Sequence, residues 1–515
     1  MIRCLLFSVF LALTGSALAG LAGARPNILF ILTDDQGYGD LSAHGNPVLK
    51  TPHLDRLRQE SVRFTDFVVS PTCAPTRSAI MTGRHEFRNG VTHTILERER
   101  LDPKAVTVAQ VLQKAGYTTG IFGKWHLGDE PDYRPNRRGF DEQFIHGGGG
   151  IGQSYPGSCG DAPGNGYFNP AILHNDKFVK TEGYCTDVFF NQADRWIHSL
   201  PKDKPFYCQI ATNAPHGPYL ARQEDKALYT GKVPDDDTAS FFGMIHNIDQ
   251  NVGKILAHLE SSGLAQNTLV IFMNDNGGTA GTKVFNAGMH GSKGSPWLGG
   301  TRAMSFWRWP GKLAPADCSA LAAHVDIFRT WTALAGATLT PEAEKQAEGR
   351  NLLPLLENPS AAWETRTLFT HVGRWPKGTD YHAAKSRNAS VRTPQYHLVS
   401  EAPRPQAAKA KAKSGSTGTV PGWQLFDLQA DPAEARNIAS EKPEIVQSML
   451  ASYDQWWDSL KGQIDLNETV KGPRLNPFAE EYWKQFGGSP TEEDLARMDP
   501  DKAWTFEARR EKRPQ

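Results

Sequence analysis

The chain has 515 residues, of which 56 are lysine or arginine and 56 are aspartate or glutamate, so its formal net charge is zero. This balance gives no basic field to attract nucleic acid or an acidic membrane surface, and we expect no nucleic-acid partner. Hydrophobic residues make up 39% of the chain, as in ordinary globular proteins, and the length allows one large core with a smaller unit beside it.

The first 19 residues have the pattern of a signal peptide. Arg3 precedes an apolar run at residues 5–13, and the small residues Ala17 and Ala19 form a cleavage site. A membrane anchor is the alternative, but the apolar run is short for a bilayer span. No later segment is long and apolar enough for a transmembrane helix. We therefore expect an exported protein, periplasmic or secreted, without stable membrane insertion.

Five cysteines follow the predicted signal peptide. In an oxidising compartment an odd number leaves at least one cysteine without a partner in its own chain. Cys159 and Cys185 flank a glycine-rich loop, and we predict a disulfide between them. Residues 144–169 are glycine-rich without periodicity, and we expect them to form a lid or a pocket wall. Cys73 is the candidate for the cysteine that carries chemistry.

Apolar runs of strand length alternate with helical patterns from residue 28 to residue 335. The predicted strands are 28–33, 64–69, 117–122, 205–212 and 268–273. The predicted helices are 187–200, 238–262 and 326–335, and two more begin at Pro52 and after Thr107. This alternation predicts an α/β fold with a doubly wound, mostly parallel sheet flanked by helices.

The pattern changes after about residue 360. Short strands at 367–372, 395–399 and 423–428 predict a small antiparallel sheet, and residues 443–460 predict a terminal helix with one apolar stripe. We expect a main domain at residues 20–360, a smaller C-terminal α+β subdomain at 361–462 and a polar extension at 463–515. Residues 407–418 are of low complexity and predict a loop.

Residues 70–84 read SPTCAPTRSAIMTGR and place Cys73 between two prolines, at a predicted strand-to-helix junction. Backbone N–H groups at the start of a helix favour negative charge, which suits a reactive cysteine. Taken alone, Cys73 is more often an inert buried residue. The polar residues at the other strand ends make a reactive Cys73 the better interpretation.

Polar side chains follow the predicted strands and form a candidate site. Asp34 and Asp35 are adjacent, so both reach one ion only where the strand has broken into a loop, which Gly37 and Gly39 favour. Carboxylate and amide oxygens suit a hard cation such as Ca²⁺ or Mg²⁺, the basic residues suit a sulfate or phosphate, and the histidines can move protons. The set is Asp34, Asp35, Cys73, Arg77, Lys124, His126, His216, Asp275, Asn276 and Lys293.

Each member of this set has an ordinary alternative in isolation. Arg77 and Lys124 could be solvated surface charges, His216 a turn residue after Pro215, and the two aspartates an Asp-rich turn. Their joint recurrence at five strand ends favours a single site.

The chain resembles the type I, formylglycine-dependent sulfatases of the alkaline phosphatase superfamily, and is arylsulfatase-like. The resemblance covers residues 26 to about 310, in the family's order, and continues near residue 430 at the entry to the C-terminal subdomain. The matching segments are PNILFILTDDQGYGDL, TPHLDRL, CAPTRSAIMTGR, GYTTGIFGKWHLG, APHGPY, NDNGG, GSKGSPWLGG and FDLQADPAEARNIA.

The resemblance implies a fold like that of alkaline phosphatase, with a sulfatase catalytic domain at residues 20–360, and a modified nucleophile. A maturation enzyme that generates formylglycine would oxidise Cys73 within its Cys-x-Pro-x-Arg context. One hydroxyl of the hydrated aldehyde would attack sulfur, and the second would expel sulfate and regenerate the aldehyde.

The resemblance also implies a role for each member of the set. Arg77 and Lys124 would stabilise residue 73 and the sulfate charge, and Lys293 would bind a sulfate oxygen. His126 would assist proton removal from the diol, and His216 would protonate the leaving oxygen. The implied ligands of one Ca²⁺ are Asp34, Asp35, the modified Cys73, Asp275 and Asn276.

Three positions depart from the family pattern. Thr76 stands where serine is usual, which puts efficient maturation in doubt. Leu298 replaces a common glutamate, and His290 stands where arginine is frequent. None of these is a metal or catalytic position.

Two other functions compete with sulfate ester hydrolysis. One is a phosphodiesterase or phosphonate hydrolase on the same scaffold, and the other is a non-catalytic, calcium-bound glycan-binding relative. For a sulfatase, we expect a sulfated saccharide or an aryl sulfate as substrate. Its pocket is expected to be shaped by His93, Glu97, Arg98, the loop 147–155, Arg374 and Trp375.

Overall fold

The computed structural model describes residues 20–401 and 422–501. The predicted signal peptide and the low-complexity segment 407–418 lie outside these residues. Within them, no helix is both long enough and apolar enough to cross a membrane.

A ten-stranded sheet forms the centre of the molecule, in the order β12-β2-β11-β9-β1-β8-β4-β5-β6-β7. The five strands from β9 to β5 are parallel, while β11, β6 and β7 pair antiparallel with their neighbours. The strands of the main domain are β1 Asn27–Thr33, β2 Val62–Phe64, β3 Phe67–Val68, β4 Thr118–Lys124, β5 Glu142–His146, β6 Ala171–His174, β7 Lys177–Lys180, β8 Phe206–Ala211, β9 Thr268–Asn274, β10 Arg302–Ala303, β11 Ser305–Arg308, β12 Ala316–Cys318 and β13 Ala322–Ala323.

Helices cover both faces of this sheet. The helices are α1 Pro52–Gln59, α2 Cys73–Thr82, α3 Val108–Lys114, α4 Cys185–Ser199, α5 Gln223–Ala227, α6 Asp236–Ser261, α7 Leu298–Thr301, α8 Asp326–Leu334, α9 Pro341–Gln346, α10 Leu353–Glu357, α11 Pro443–Asp458, α12 Pro477–Phe486 and α13 Glu492–Met498. Helices α2, α3 and α8 pack into the core on one face, and α1, α4 and α6 pack on the other. The predicted doubly wound α/β class is confirmed.

Strand β1 lies between β9 and β8, with a hydrophobic core on each face. All seven of its residues are buried. Ile28 and Phe30 enter one core, whereas Leu29 and Ile31 enter the other, as the two-residue period of a strand requires. A continuous apolar run is therefore needed here, because a polar residue on either face would lie in a hydrophobic core.

The single strand predicted at residues 64–69 is wrong. The chain bends at Thr65 and Asp66, which separates β2 in the large sheet from β3 in a three-stranded sheet with β10 and β13. At this bend the Thr65 amide still donates to Cys318 of β12 at 2.9 Å, whereas its carbonyl accepts from the Arg302 side chain at 3.0 Å. Asp66 pairs with Arg392 at 2.6 Å. An apolar pattern alone does not reveal which sheet each half joins.

The C-terminal part forms a four-stranded antiparallel sheet, as predicted. Its strands are β14 Leu368–His371, β15 Ala389–Arg392, β16 Tyr396–Ser400 and β17 Gln424–Asp427, and α11 packs against it through Met449, Tyr453 and Trp457. The sequence prediction omitted β15, a short strand flanked by loops.

Residues 477–498 are helical and pack against the main domain. Phe478 is fully buried in the core of one sheet face, where its ring contacts Phe178. Arg134 pairs with Glu481 at 2.8 Å. The polar composition of this segment concealed these contacts, since only a few of its residues are apolar.

The predicted disulfide between Cys159 and Cys185 is wrong, since both cysteines are free and buried. Cys159 packs with Ile95 and Tyr155 and directs its Sγ toward the Thr94 carbonyl at 3.8 Å. Cys185 starts α4 and belongs to the core on one face of the large sheet. The two thiols therefore lie in different apolar clusters. Residues 73, 208 and 318 are likewise free cysteines.

Candidate active site

The site lies where four parallel strands end at one edge of the sheet. Thr33 at the end of β1 is in register with Asn274 of β9, and Leu32 is in register with Ala211 of β8. Ala211 is in turn in register with Gly123 of β4. Residues that follow these strands are therefore neighbours, which is the usual position of a ligand site in an open α/β sheet.

Asp35 adopts a left-handed backbone conformation, with φ of 67°. Strand β1 has ended at Thr33, so the change of direction at Asp35 allows adjacent carboxylates to serve the same site. Asn276 donates to Asp35 Oδ1 at 3.0 Å, and the Asp35 amide donates to Asp275 Oδ1 at 3.3 Å. Gly37 is needed beside this turn, because a Cβ there would lie 2.8 Å from the backbone of Gly278.

Cys73 is the first residue of α2 and is only 2% exposed. Potential ligand atoms of Cys73, Asp34 and Asp275 all lie within 4.8 Å of one another. Asp34 Oδ1 and Asn276 Oδ1 are buried without a hydrogen-bond partner in the described part of the chain. Buried oxygens without partners are costly, and a cation would satisfy them. The donor set therefore fits a hard divalent metal ion.

Three basic side chains hold the three carboxylates. Arg77 donates to Asp275 Oδ2 at 2.8 and 3.1 Å, and Lys293 pairs with Asp35 Oδ1. Lys124 Nζ lies 2.6 Å from Asp34 Oδ2, and its carbonyl accepts from Arg77 at 3.1 Å. Each of the three carboxylates therefore forms an ion pair with one basic side chain.

The two adjacent aspartates have opposite pKa shifts. Burial raises the pKa of Asp34 well above its usual range, although Lys124 opposes this effect. Burial would also raise the pKa of Asp35, but Lys293 and His216 outweigh it and lower the pKa below the usual range. An added positive charge near Asp34 would therefore favour its ionised form.

Both predicted histidines reach the same edge. His126 Nε2 donates to the Thr94 carbonyl at 2.8 Å, and His216 Nε2 lies 3.8 Å from Asp35 Oδ2. Burial, with neighbouring lysines, lowers the pKa of each histidine well below its usual range, although Asp35 opposes the shift at His216. Both imidazoles are therefore neutral near pH 7.

A cavity of about 210 Å³ opens above this cluster. It is lined by Cys73, Thr94, Ile95, His126, Gly149, Gln153, Tyr155, His216, Lys293 and Arg374. Gly149 allows close approach, because a Cβ there would lie 2.7 Å from the His126 ring. The cavity brings the two histidines, Lys293 and Cys73 to a common space large enough for a small anionic ligand.

Comparison with known proteins identifies the family. The sulfatase family model matches residues 26–337. This chain belongs to the sulfatase family. Arylsulfatase A of Homo sapiens is 31% identical over 502 residues, which cover 88% of this chain and 91% of that protein. N-acetylgalactosamine-6-sulfatase of Homo sapiens is 32% identical over 370 residues, covering 65% and 67%. The protein is therefore an enzyme that hydrolyses sulfate esters.

Solved structures agree with this assignment of the sulfatase. The crystal structure of Ps i-CgsB has a TM-score of 0.71 at 26% sequence identity, covering 92% of this chain and 99% of that one. The same protein in complex with k-i-k-neocarrahexaose gives a TM-score of 0.70 at 25% identity, covering 89% and 97%.

Several residues expected to shape the pocket of the sulfatase lie behind it instead. His93, Glu97, Arg98 and Trp375 are buried but do not line the cavity. Arg98 pairs with Glu468 at 3.1 Å, because the loop that carries it folds back on the C-terminal part of the chain. Four of the residues predicted to shape the pocket do border the cavity: Gly149, Gln153, Tyr155 and Arg374.

Thr94 and Ile95 are lining residues that the sequence prediction missed. They belong to a loop in which Leu96 and Glu97 have positive φ angles of 67° and 62°. Neither residue type signals such a conformation, so nothing in the sequence indicated that Thr94 would face the site. His290 stacks on Trp297, with ring centroids 4.5 Å apart, and does not line the cavity.

Proposed function

We propose that this sulfatase acts on sulfated saccharides through a formylglycine at position 73 and one calcium ion. The observation that carries the proposal is the convergence of Cys73, Asp34 and Asp275 within 4.8 Å, at the base of a cavity lined by cations and histidines. A buried cysteine with no catalytic function would not need this surrounding charge.

Calcium is the proposed metal because its preferred ligands are oxygens in a flexible arrangement. The proposed protein ligands are Asp34, Asp35, Asp275, Asn276 and residue 73. Two of their oxygens lack other partners, which supports the assignment. When bound, the ion supplies positive charge beside the nucleophile and the sulfate oxygens.

Residue 73 is the proposed nucleophile. Its conversion to formylglycine supplies a hydroxyl of the hydrated aldehyde for attack on sulfur. The position at the start of α2 adds the partial positive charge of a helix N-terminus to a site that binds anions. Arg77 and Lys124 bind the carboxylates beside residue 73 and add positive charge to the site, and Lys293 borders the cavity, where it would bind a sulfate oxygen.

The two histidines are proposed to move protons at opposite ends of the reaction. His216 faces the cavity and would protonate the leaving oxygen, and His126 would take the proton of the residue 73 diol. Both are neutral before substrate binds, so His126 is ready to act as a base. An anionic sulfate ester beside His216 favours protonation of this imidazole, which prepares it to act as an acid.

A sulfated saccharide is the proposed substrate class. The relative N-acetylgalactosamine-6-sulfatase and the complex of Ps i-CgsB with a neocarrahexaose both carry a sugar in their names, which supports this choice. Export, directed by residues 1–19, would expose the enzyme to extracellular glycans. The proposed partner during biosynthesis is a formylglycine-generating maturation enzyme.

The test is a comparison of matured enzyme on sulfated saccharides, an aryl sulfate and an aryl phosphodiester, with and without calcium. We expect turnover of the sulfates, loss of activity after chelation, and recovery on adding Ca²⁺. Faster turnover of the phosphodiester would instead favour a phosphodiesterase, and binding of the saccharides without turnover would favour a glycan-binding relative.

A further inference from the structure

A cation on the wall of the active-site cavity has no carboxylate partner. Arg374 lines the cavity together with Cys73 and Lys293. Its Nε is buried without a hydrogen-bond partner, and its Nη2 donates at 3.1 Å to the hydroxyl of Thr94, a neutral acceptor. No ion pair of Arg374 exists within residues 20–401 and 422–501. The guanidinium therefore has no direct ion pair among the described residues, and Asp35 acts on its charge only from a distance.

Other buried cations nearby are compensated. Arg77 pairs with Asp275 at 2.8 Å, Arg98 pairs with Glu468 at 3.1 Å, and Lys293 pairs with Asp35. Among the described residues, none that lines the cavity carries a carboxylate. Because a charge removed from water without a partner is costly, an anion entering the cavity gains a strong interaction with Arg374.

The backbone around Arg374 is fixed before any ligand binds. Arg374 has a left-handed conformation, with φ of 58°, and its N–H donates to the Thr92 carbonyl at 3.1 Å. The Trp375 carbonyl accepts from Arg98 at 2.6 Å, and the Arg98 guanidinium stacks over the Trp375 ring. Gly373 packs so closely that a Cβ would lie 2.0 Å from the Thr92 carbonyl. Such preorganisation strengthens binding, since little ordering remains.

We propose that Arg374 binds a second anionic group, a carboxylate or another sulfate, on the sugar that carries the reacting sulfate ester. This inference rests on the proposed sulfatase function. Arg77 and Lys124 hold carboxylates at the sheet edge, and Lys293 is the cation proposed to bind the reacting sulfate. Arg374 instead enters from the loop after β14 in the C-terminal part. A planar guanidinium matches the geometry of either anion through two parallel hydrogen bonds.

The test uses three synthetic sugar sulfates that differ at one neighbouring position, which carries a hydroxyl, a carboxylate or a second sulfate. We expect kcat/KM of the wild-type enzyme to be about tenfold to a hundredfold higher for at least one anionic form than for the hydroxyl form. The two anionic arms distinguish a uronate-like substrate from a disulfated one. R374Q should reduce this preference at least tenfold, and R374K should retain part of it because the charge remains without the planar fork.

R436Q is the matched control, because Arg436 is exposed and pairs only with Glu441 on the surface. It should keep the wild-type preference. An equal fall on all three substrates in R374Q would overturn the proposal, as would a wild-type preference for the hydroxyl form. If R374Q does not fold, R374K provides the same comparison. Failure of the sulfatase proposal is distinct, since wild-type enzyme with verified formylglycine would then hydrolyse none of the three sulfates.

Discussion

Lys124 Nζ lies 2.6 Å from Asp34 Oδ2, and both side chains are completely buried. The contact joins the end of β4 to the end of β1, across the strand β8 that separates them in the sheet. Burial disfavours the charged form of Asp34, so this carboxylate depends on Lys124 to remain available for a metal ion. The pair links the stability of the sheet edge to the chemistry of the site.

Replacing Lys124 by methionine should therefore affect both properties. Without the cation Asp34 keeps its buried charge unpaired or takes up a proton, and its interaction with the proposed calcium ion weakens. We expect the free energy of unfolding to fall by about 3–5 kcal/mol and kcat/KM to fall by about 10²–10³-fold. Urea unfolding and steady-state kinetics measure the two effects. K312M, at an exposed lysine, is the control. Unchanged kinetics in K124M would show that Lys124 is not part of the site.

The strand-end residues could be predicted because the reasoning depends only on parallel topology. Asp34, Lys124, His216 and Asp275 follow strands that end at the same edge, and an alternating pattern of strands and helices predicts that edge. The pairing of individual carboxylates with individual cations was not predictable, since it depends on distances of a few ångströms.

The remaining wall of the site depends on loops that no local pattern specifies. Thr94 faces the cavity from a loop in which Leu96 and Glu97 have positive φ angles. Arg374 lines the same cavity but comes from a distant part of the chain. The disulfide prediction was wrong for the same reason, because two cysteines that flank a loop in sequence need not be close in space, and Cys159 and Cys185 are both free. Long-range packing decided each of these outcomes.

The proposed role of His216 predicts a dependence on the leaving group. A sugar alkoxide is a poor leaving group and needs a proton, whereas 4-nitrophenolate leaves without one. We expect H216Q to lower kcat for a sugar sulfate by about 10²–10⁴-fold and to lower kcat for 4-nitrophenyl sulfate much less. Steady-state kinetics on both substrates give the ratio. Equal losses on the two esters would assign His216 to binding instead of proton transfer.

Asn476 connects the C-terminal segment to the wall of the pocket. It is fully buried, and its Nδ2 donates to the carbonyls of Tyr155 at 2.9 Å and Gly157 at 2.6 Å. Since Tyr155 lines the cavity, N476A should loosen this wall, raise KM more than it lowers kcat, and lower the free energy of unfolding by about 2–3 kcal/mol. Q447A, which removes an exposed amide from α11, should leave both unchanged. A normal KM in N476A would refute the link.

We expect the free energy of unfolding to depend on pH through Asp249, a residue outside the active site. Burial raises the pKa of Asp249 to about 7, although the Leu54 amide donates to it at 2.8 Å. The folded state thus binds this proton more tightly than the unfolded state, so the associated stability is complete below the ordinary pKa of 3.8 and is lost as pH rises through about 7.

D249N removes this titration while retaining an oxygen that accepts from Leu54. The variant should gain up to about 4 kcal/mol of stability over wild type at pH 8, and the gain should shrink as pH approaches 4. Urea unfolding over this pH range measures it. A constant difference between the two proteins at every pH would contradict the buried, protonated state of Asp249.

The proposed action of residue 73 as formylglycine can be tested by measuring the mass of the tryptic peptide 64–77. The protein should be prepared with and without a formylglycine-generating enzyme, and sulfatase activity measured on the same samples. We expect activity to rise in proportion to the fraction of peptide in which an aldehyde oxygen has replaced the thiol of Cys73, and we expect C73A to have none. Full sulfatase activity in a preparation whose peptide retains the unmodified thiol would contradict this proposal.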